Sequence, residues 1–379
     1  MKIVVAADSF KGTMSSTEVC DIIARAIKDF DDWIEVVTVP IADGGEGTVD
    51  AFLSAAGGKR IYTKVKDPLM RDVQACFGLL SDGETAVVEM AQASGIGHVA
   101  NELKPMEATT YGTGQLIKSA LDAGCKKIIL GLGGSATTDG GAGAAAALGV
   151  KFLTKNNKEI PLGGGGLGFL ADIDTSGLDP RLKDTEIILA CDVDNRLCGR
   201  QGAAAVFGPQ KGATPEEVKI LDRNLSHYAR VLKEKLGIDV TGIRGGGAAG
   251  GLSVSMIAFA NARIMPGIQV VLETVRFSEI IKHADMVITG EGRIDSQTVM
   301  GKVPVGVARA CRDRGIPVVA IGGSLGPGYE AVYNEGISSV FSVVNDLVPF
   351  ETVKATCRHD LYMLIKNLFR FGFLKPESY

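Results

Sequence analysis

A glycine-rich segment in the middle of the chain combines the residue types that bind phosphate. The segment GLGGSATTDGGAG, residues 131–143, follows a predicted strand and opens a Gly/Ala-rich predicted helix. Backbone N–H groups at a helix N-terminus, approached closely through glycines, suit a phosphate, although a tight turn capped by Asp139 is the alternative. Asp139 is equally a candidate Mg²⁺ ligand. The candidate phosphate-binding residues of the segment are Gly133, Gly134, Ser135 and Thr137.

Carboxylates beside glycines follow two other predicted strands. Asp43 lies in the string ADGGEG, and Glu291 and Asp295 lie in the string GEGRID. Ligands bind at the carboxyl ends of parallel strands, and carboxylate oxygens suit Mg²⁺. The sequence therefore predicts these three carboxylates as magnesium ligands, and Gly292 as a point where a phosphate can approach the backbone. Helix capping and turn formation are the alternative.

Two further carboxylates and three lysines could act on a substrate. Asp192 follows a buried predicted strand, where a carboxylate could accept a proton from a hydroxyl group or cap the loop. The lysines lie next to glycines and could neutralise anionic oxygens, although a single lysine is as often a solvated surface group. The catalytic candidates are Asp192, Lys11, Asp8 and Lys211, and Lys302 is a candidate for binding phosphate.

A second glycine run, Gly245–Gly251, has almost no side chains. Such a run lets a ligand or another stretch of backbone approach closely. A flexible hinge is an equally good interpretation, so the run by itself does not decide between a binding site and a structural role.

The composition argues against several classes of protein. The 379 residues carry a net charge of −4, so no overall positive charge attracts nucleic acid or an anionic membrane. Seven cysteines without a CxxC pair and four histidines argue against a disulfide framework or a zinc site. No uncharged run reaches the roughly 20 apolar residues of a membrane span, and the chain enters a predicted strand rather than a signal peptide. We therefore expect a cytoplasmic enzyme.

The alternation of strands and helices at both ends of the chain predicts a parallel sheet with helices on both faces. Lys2–Ala7 and Ile34–Val39 are predicted strands around a helix whose start is marked by the capping-box pair Ser15 and Glu18. The C-terminal hundred residues repeat the pattern, with strands predicted at 285–289, 317–321 and 338–344, loops at 290–293 and 322–324, and helices within 303–314 and 351–371.

Between these ends the pattern changes to consecutive strands. Ile61–Lys66, Val73–Leu80 and Thr85–Ala91 are typical of a meander, and Thr214 and Gly237 mark the ends of a long helix. We therefore predict an α/β protein of two α/β domains. The outer domain is discontinuous, with residues 1–60 and 283–379, and residues 61–282 form an inserted α/β domain with a mixed sheet.

Six strings, in this order along the chain, resemble those of the bacterial type-1 glycerate kinase family. They are AADSFKG from Ala6, ADGGEGT from Ala42, GGSATTDGG from Gly133, VFGPQKGA from Val206, GGGAAGG from Gly245 and TGEGRIDSQT from Thr289. The resemblance thus covers essentially the whole chain. Gly12 and Thr138 stand where many members have Glu and Asn, which weakens any role for a side chain at these two positions.

The resemblance implies ATP-dependent phosphorylation of D-glycerate by a two-domain α/β enzyme with one domain of flavodoxin-like topology. In most such enzymes the 2-hydroxyl is the acceptor, which gives 2-phosphoglycerate and ADP, and 3-phosphoglycerate is the alternative product. We expect ATP, Mg²⁺ and D-glycerate to meet in a cleft between the domains, because phosphoryl transfer depends mainly on positioning and charge stabilisation. The oligomeric state, monomer or homodimer, stays open.

Two other functions stay open. An NAD-dependent dehydrogenase acting on glycerate is one, although Gly112-Thr113-Gly114 lacks the third glycine of a dinucleotide fingerprint. A sugar-acid binding protein without catalysis is the other. The string GxxxxGK[ST] does not occur, so the chain is not a P-loop NTPase.

Overall fold

The computed structural model describes residues 1–41, 47–346 and 348–372. They divide into two compact units, each with its own sheet. One unit contains the residues up to 41, Asp50–Gly57 and the described residues from Ile268 onward; the other contains residues 47–49 and Gly58–Gly267. The domain limits given by the sequence stay a prediction.

The strands and helices have the following bounds. The strands are β1 (Lys2–Ala7), β2 (Glu35–Thr38), β3 (Gly58–Lys66), β4 (Asp72–Leu80), β5 (Thr85–Glu89), β6 (Lys127–Gly131), β7 (Lys151–Leu153), β8 (Asp172–Asp174), β9 (Glu186–Ala190), β10 (Arg263–Met265), β11 (Met286–Ile294), β12 (Val318–Leu325) and β13 (Ser339–Ser342). The helices are α1 (Ser16–Lys28), α2 (Thr48–Ala56), α3 (Ala91–Ser94), α4 (Tyr111–Asp122), α5 (Ala142–Ala147), α6 (Ala203–Phe207), α7 (Pro215–Leu236), α8 (Leu252–Ala260), α9 (Gly267–Thr274), α10 (Phe277–Ile280), α11 (Val303–Arg312) and α12 (Phe350–Gly372).

The sheet of the first unit is parallel throughout its described strands, in the order β13-β12-β11-β1-β2. Numbered within this sheet alone, the order is 2-1-3-4-5, which is the flavodoxin-like order. The flavodoxin-like topology implied by the resemblance is therefore confirmed. In such sheets the ligand crevice lies at the carboxyl ends of the strands where the order reverses, here between β1 and β11.

Apolar side chains of β1 hold helices α1 and α12 against one face of this sheet. Val5 of β1, Ile23 of α1 and Ile365 of α12 are fully buried in one cluster. At the start of α1 the Ser15 hydroxyl accepts a hydrogen bond from the Glu18 N–H at 3.2 Å, as the capping pattern predicts. The strand ends that carry polar residues are thus fixed by a packed core.

Strand β11 extends further than the sequence predicts. The predicted loop 290–293 belongs to the strand, since Glu291 pairs with Gly322 and Arg293 pairs with Ser324 of β12. The predicted loop 322–324 is strand for the same reason. Glycine is a turn signal, but in a strand it also permits close approach of another backbone. A Cβ atom at Gly290 would collide with the carbonyl oxygen of Ile321, so this glycine serves the pairing of the strands.

The sheet of the second unit is mixed, in the order β10-β9-β6-β5-β4-β3 among its described strands. Strands β10, β9, β6 and β5 are parallel, and β5, β4 and β3 form the predicted antiparallel meander. The mixed sheet is therefore confirmed. Glu89, Gly131 and Ala190 are register partners at the ends of β5, β6 and β9. The segments that follow these three strands consequently share one edge of the sheet.

Helix α7 forms as its sequence signals predict. Thr214 and Glu217 make a reciprocal capping box, and Gly237 ends the helix in the left-handed conformation with φ 72°. Tyr228 on the buried face packs against Phe152 with ring centroids 5.9 Å apart. The described helices include none that combines the length and the hydrophobicity needed to cross a membrane.

Candidate functional site

The phosphate-binding candidate of the second unit is the loop that connects β6 with α5. It begins at the shared sheet edge, and three of its glycines, Gly134, Gly140 and Gly141, have positive φ between 66° and 79°. Only glycine adopts this conformation readily. A Cβ atom at Gly140 would lie 2.8 Å from the Tyr228 ring, so α7 packs directly against the loop. The loop is held in one conformation by its glycines and its neighbours.

Asp139 organises this loop and does not project from it. Its buried carboxylate accepts hydrogen bonds from the N–H groups of Thr110, Gly141 and Gly143 at 2.8–3.2 Å. The hydroxyl groups of Thr109 and Thr110 donate to the same carboxylate at 3.2 and 2.9 Å. These five donors take up the hydrogen-bonding capacity of the carboxylate. The N-cap residue of α5 is Gly141, and the Asp139 carboxylate binds N–H groups at the start of α4 and α5, which is closer to the capping role than to a Mg²⁺ ligand.

The second glycine run lies directly against the loop. Gly250 accepts a hydrogen bond from the Gly140 N–H at 3.0 Å, and a Cβ atom on Gly250 would collide with the carbonyl oxygen of Thr137. Gly247 is packed in the same way against the carbonyl oxygen of Arg196. The close approach that these glycines allow is thus between stretches of backbone. Gly245–Gly251 supports the candidate site.

Lys211 reaches the loop from a 3₁₀ turn after α6. Its side chain is buried, with 2% of the residue exposed, and its Nζ donates to Ser135 Oγ at 2.7 Å and to the Thr137 carbonyl oxygen at 2.6 Å. Burial lowers the pKa of Lys211 to about 7, and the nearby negative charge of Asp139 opposes this shift. The structure therefore brings together Lys211, Ser135 and Thr137, which the sequence named separately.

Two threonine hydroxyls in the loop have unused hydrogen-bonding capacity. Thr137 and Thr138 are fully buried, and their Oγ1 atoms find no hydrogen-bond partner among the residues that the structure describes. Buried polar atoms are almost always paired, so an orphaned hydroxyl needs a reason. A bound ligand or a water molecule would provide one.

Glu89 is a buried carboxylate at the same sheet edge that the sequence reading did not single out. It ends β5, is 4% exposed, and accepts a hydrogen bond from the Val49 N–H at 2.7 Å. Val49 lies in the first turn of α2, where a negative charge is favourable. The signal was present in the string TAVVE, in which a carboxylate closes a run of buried β-branched residues.

Asp192 also lies at this edge, two residues after β9. It is exposed, and its Oδ1 atom accepts a hydrogen bond from the Gly267 N–H at 2.9 Å, at the first residue of α9. The carboxylate therefore caps a helix. Its exposure leaves it accessible to a substrate.

In the first unit, Asp8, Lys11 and Gly292 lie at the carboxyl ends of β1 and β11. Asp8 is 6% exposed, its N–H group donates to the Gly290 carbonyl oxygen at 2.9 Å, and its Oδ1 atom accepts from the Ser9 N–H at 2.6 Å. Lys11 is exposed, and a Cβ atom at Gly292 would lie 3.2 Å from its backbone nitrogen. These residues occupy the crevice where the strand order reverses.

Glu291 lies in the same crevice and is buried. Its Oε1 atom accepts a hydrogen bond from the Thr298 hydroxyl at 2.5 Å, and its Oε2 atom is 4.0 Å from Lys302 Nζ. Burial raises the pKa of Glu291, while the Thr298 hydrogen bond and the positive charge of Lys302 oppose the shift. Lys302 precedes α11 and is partly exposed, so it can turn toward an anion.

Asp295 follows β11 and is tied to its own loop. Its Oδ1 atom accepts from the Gln297 N–H at 2.9 Å, and its Oδ2 atom is 3.2 Å from Arg293 Nε. Asp43, the third predicted magnesium ligand, lies outside the described residues. Within the described ranges no three His, Cys, Asp or Glu side chains are grouped as a metal site would require.

The chain is similar to known proteins along nearly its full length. The model of the glycerate kinase family matches residues 3–372. A glycerate kinase of Halalkalibacterium halodurans is 50% identical over 343 residues, which are 90% of this chain and 90% of that protein. The glycerate 2-kinase of Escherichia coli K12 is 48% identical over 348 residues, 92% of this chain and 91% of that protein. A crystal structure described as glycerate kinase 2 from Salmonella typhimurium LT2 has a TM-score of 0.88 at 42% identity, covering 99% of this chain and 100% of that chain.

Proposed function

The chain belongs to the glycerate kinase family and is therefore a kinase, and from this premise we propose that it transfers the terminal phosphoryl group of ATP to D-glycerate. The acceptor is the 2-hydroxyl, and the products are 2-phosphoglycerate and ADP. The observation that carries the proposal is the loop between β6 and α5, in which a buried lysine contacts a serine within a glycine-rich turn. Phosphoryl transfer needs such fixed donors more than it needs covalent chemistry.

The loop of the second unit binds phosphate oxygens. Gly133 and Gly134 leave the backbone accessible, and Ser135 and Thr137 supply hydroxyl groups. Lys211 supplies positive charge from below the loop. Because these groups are held by packing, they lose little conformational freedom when the anion binds.

The crevice of the first unit provides the residues for a divalent cation and further phosphate oxygens. Glu291 and Asp295 offer carboxylate oxygens, the ligand type that Mg²⁺ prefers, and Mg²⁺ commonly takes only one or two carboxylates together with phosphates and water. We assign these two, with Asp43, as the residues that would hold Mg²⁺, which supplies neutralisation of phosphate charge. Lys11, Lys302 and the Gly292 backbone contact phosphate or the carboxylate of glycerate.

Asp192 accepts the proton of the substrate hydroxyl, and Asp8 orders the carboxyl end of β1. Asp192 is exposed at the sheet edge that also carries the phosphate loop, which is where a substrate can reach it. The helix cap at Gly267 orients one of its oxygens. Geometry of this kind is the first requirement of a general base.

The test is ADP release measured in a coupled assay with MgATP and D-glycerate, with L-glycerate and no acceptor as controls. We expect ADP release that depends on D-glycerate and a product that enolase consumes without further enzymes. A change in NADH absorbance with NAD and glycerate would instead support a dehydrogenase. Glycerate binding without any ADP release would support a binding protein, and either result would refute the proposal.

Three finer expectations belong to the same proposal. The substrates meet in a cleft between the two domains, the enzyme works in the cytoplasm, and its assembly is a monomer or a homodimer. Sedimentation of the purified chain decides the last of these.

A further inference from the structure

We propose that Lys211 is a positioning residue that acts through Ser135, holding the serine oxygen so that its O–H group donates to an oxygen of the bound phosphate chain. The inference rests on the proposed function and deepens it, since it names the donor and the residue that prepares it. Ser135 is then the residue that touches the substrate.

The direction of the hydrogen bond between Lys211 and Ser135 determines where the serine hydrogen can point. Lys211 Nζ is 2.7 Å from Ser135 Oγ, and an ammonium group can only donate. Because the serine oxygen receives that hydrogen bond, the serine hydrogen must point elsewhere. Among the described residues no acceptor for it is found, and Ser135 is half-buried at the loop surface. The hydroxyl is thus available to a ligand.

Lys211 also polarises the Ser135 hydroxyl group. A donor that is itself bound by a charged group becomes a stronger donor, and charge-assisted hydrogen bonds are roughly twice as strong as neutral ones. The second contact of Lys211, with the Thr137 carbonyl oxygen at 2.6 Å, prevents the lysine from swinging toward the ligand. A lysine held in this way acts on the substrate through the serine.

An independent observation indicates that a ligand approaches this loop. The Oγ1 atom of Thr137 is buried without a partner among the described residues, and it belongs to the same residue whose carbonyl oxygen accepts the hydrogen bond from Lys211. Gly250 packs closely against the Thr137 carbonyl oxygen. The backbone of the loop therefore cannot shift toward Gly250 to give the hydroxyl a partner. An anion above the loop supplies the missing partner.

The charge on Lys211 is sensitive to what binds. Burial lowers the pKa of this amine to about 7, and Asp139 is the charged side chain in the described structure that acts against this shift. The ammonium form is therefore lost as the pH rises through about 7. A phosphate chain at Ser135 adds negative charge nearby and raises the pKa of Lys211, so binding above this pH takes up a proton.

The first experiment measures that proton and needs no turnover. ADP is titrated into the enzyme by calorimetry at pH 8 in two buffers of different ionisation enthalpy, for the wild type and for Lys211→Met. We expect uptake approaching about one proton per ADP in the wild type and much less in the variant. Equal proton uptake by the two proteins overturns the inference.

The second experiment is a double-mutant cycle on turnover. Ser135→Ala and Lys211→Met should each lower kcat by about 10- to 100-fold, and the double variant should lose little more than the worse single variant, because the two act as a unit. Ser135→Thr keeps a hydroxyl and should retain more activity than Ser135→Ala. Lys219→Met, an exposed lysine on α7, is the matched control and should match the wild type.

Contradicting outcomes are specific. Ser135→Ala with kcat within twofold of wild type, or losses that multiply in the double variant, would show that Lys211 does not act through Ser135. A lower melting temperature of Lys211→Met with unchanged kcat would show a structural role. If the wild type releases no ADP with D-glycerate, the proposed function fails, while the calorimetric result still decides the inference.

Discussion

Two buried charged residues each bind a neutral hydroxyl group: Lys211 that of Ser135, and Glu291 that of Thr298. A buried charge costs folding free energy unless its surroundings compensate it closely. The hydroxyl groups, together with the Thr137 carbonyl oxygen beside Lys211 and Lys302 at 4.0 Å from Glu291, compensate only in part. Such groups contribute little to stability. At the residue scale we therefore expect neutral replacements to preserve the fold and to remove activity.

Glu291→Gln tests this expectation in the first unit. Because burial raises the pKa of Glu291, the charged form is the unfavourable one in the folded protein, and its removal should leave the melting temperature at pH 7.5 unchanged or higher. The variant should lose at least about tenfold in kcat if Glu291 helps to hold the cation. Glu330→Gln, an exposed carboxylate on the same unit, is the control. Full activity with raised stability would show that Glu291 has no role in holding the cation.

Asp192→Asn separates the two roles of this side chain. The amide oxygen of asparagine can still accept the Gly267 N–H, so the helix cap and the melting temperature should be kept. If Asp192 accepts the substrate proton, kcat should fall by about 10²- to 10⁴-fold with little change in KM. Steady-state kinetics on Asp192→Asn, with Asp194→Asn beside it as control, measures the difference. Near-wild-type turnover would show that Asp192 caps the helix and does not accept the substrate proton.

At the element scale, the glycines of the three glycine-rich segments have three different structural roles. In β11 and β12 the glycines let strands pair closely, in the β6–α5 loop they adopt positive φ, and in Gly245–Gly251 they let backbone pack on backbone. The sequence pattern is similar in all three cases, so composition alone predicted loops. What decides between these roles is the neighbour that each glycine faces.

Gly250→Ala tests the support of the loop. Gly250 has φ 67°, and a Cβ atom there would meet the Thr137 carbonyl, so strain and collision act together. We expect a loss of about 2–4 kcal/mol in unfolding free energy, or a shifted loop with weakened ADP binding. Gly242→Ala in the same region meets no atom within 4 Å and should be tolerated. Urea unfolding of both variants is the measurement, and equal midpoints would contradict the packing argument.

At the scale of the whole molecule, the parts that depend on local patterns could be predicted. The strand–helix alternation gave the parallel sheet, and the apolar runs of β3 to β5 gave the meander. Strand β10, with three residues, is too short to be marked by a pattern. The contact between Lys211 and Ser135 joins residues 76 positions apart, so only the folded chain could show it.

We propose that this kinase phosphorylates D-glycerate on its 2-hydroxyl. The most direct measurement is the proton-coupled ³¹P NMR spectrum of the product formed from MgATP and D-glycerate. Phosphorus on the 2-oxygen couples to one methine proton, so we predict a doublet that grows as the terminal phosphate signal of ATP declines. A triplet, from phosphorus beside a methylene group, would place the phosphoryl group on the 3-oxygen. The absence of any new phosphomonoester signal would contradict the phosphorylation of D-glycerate altogether.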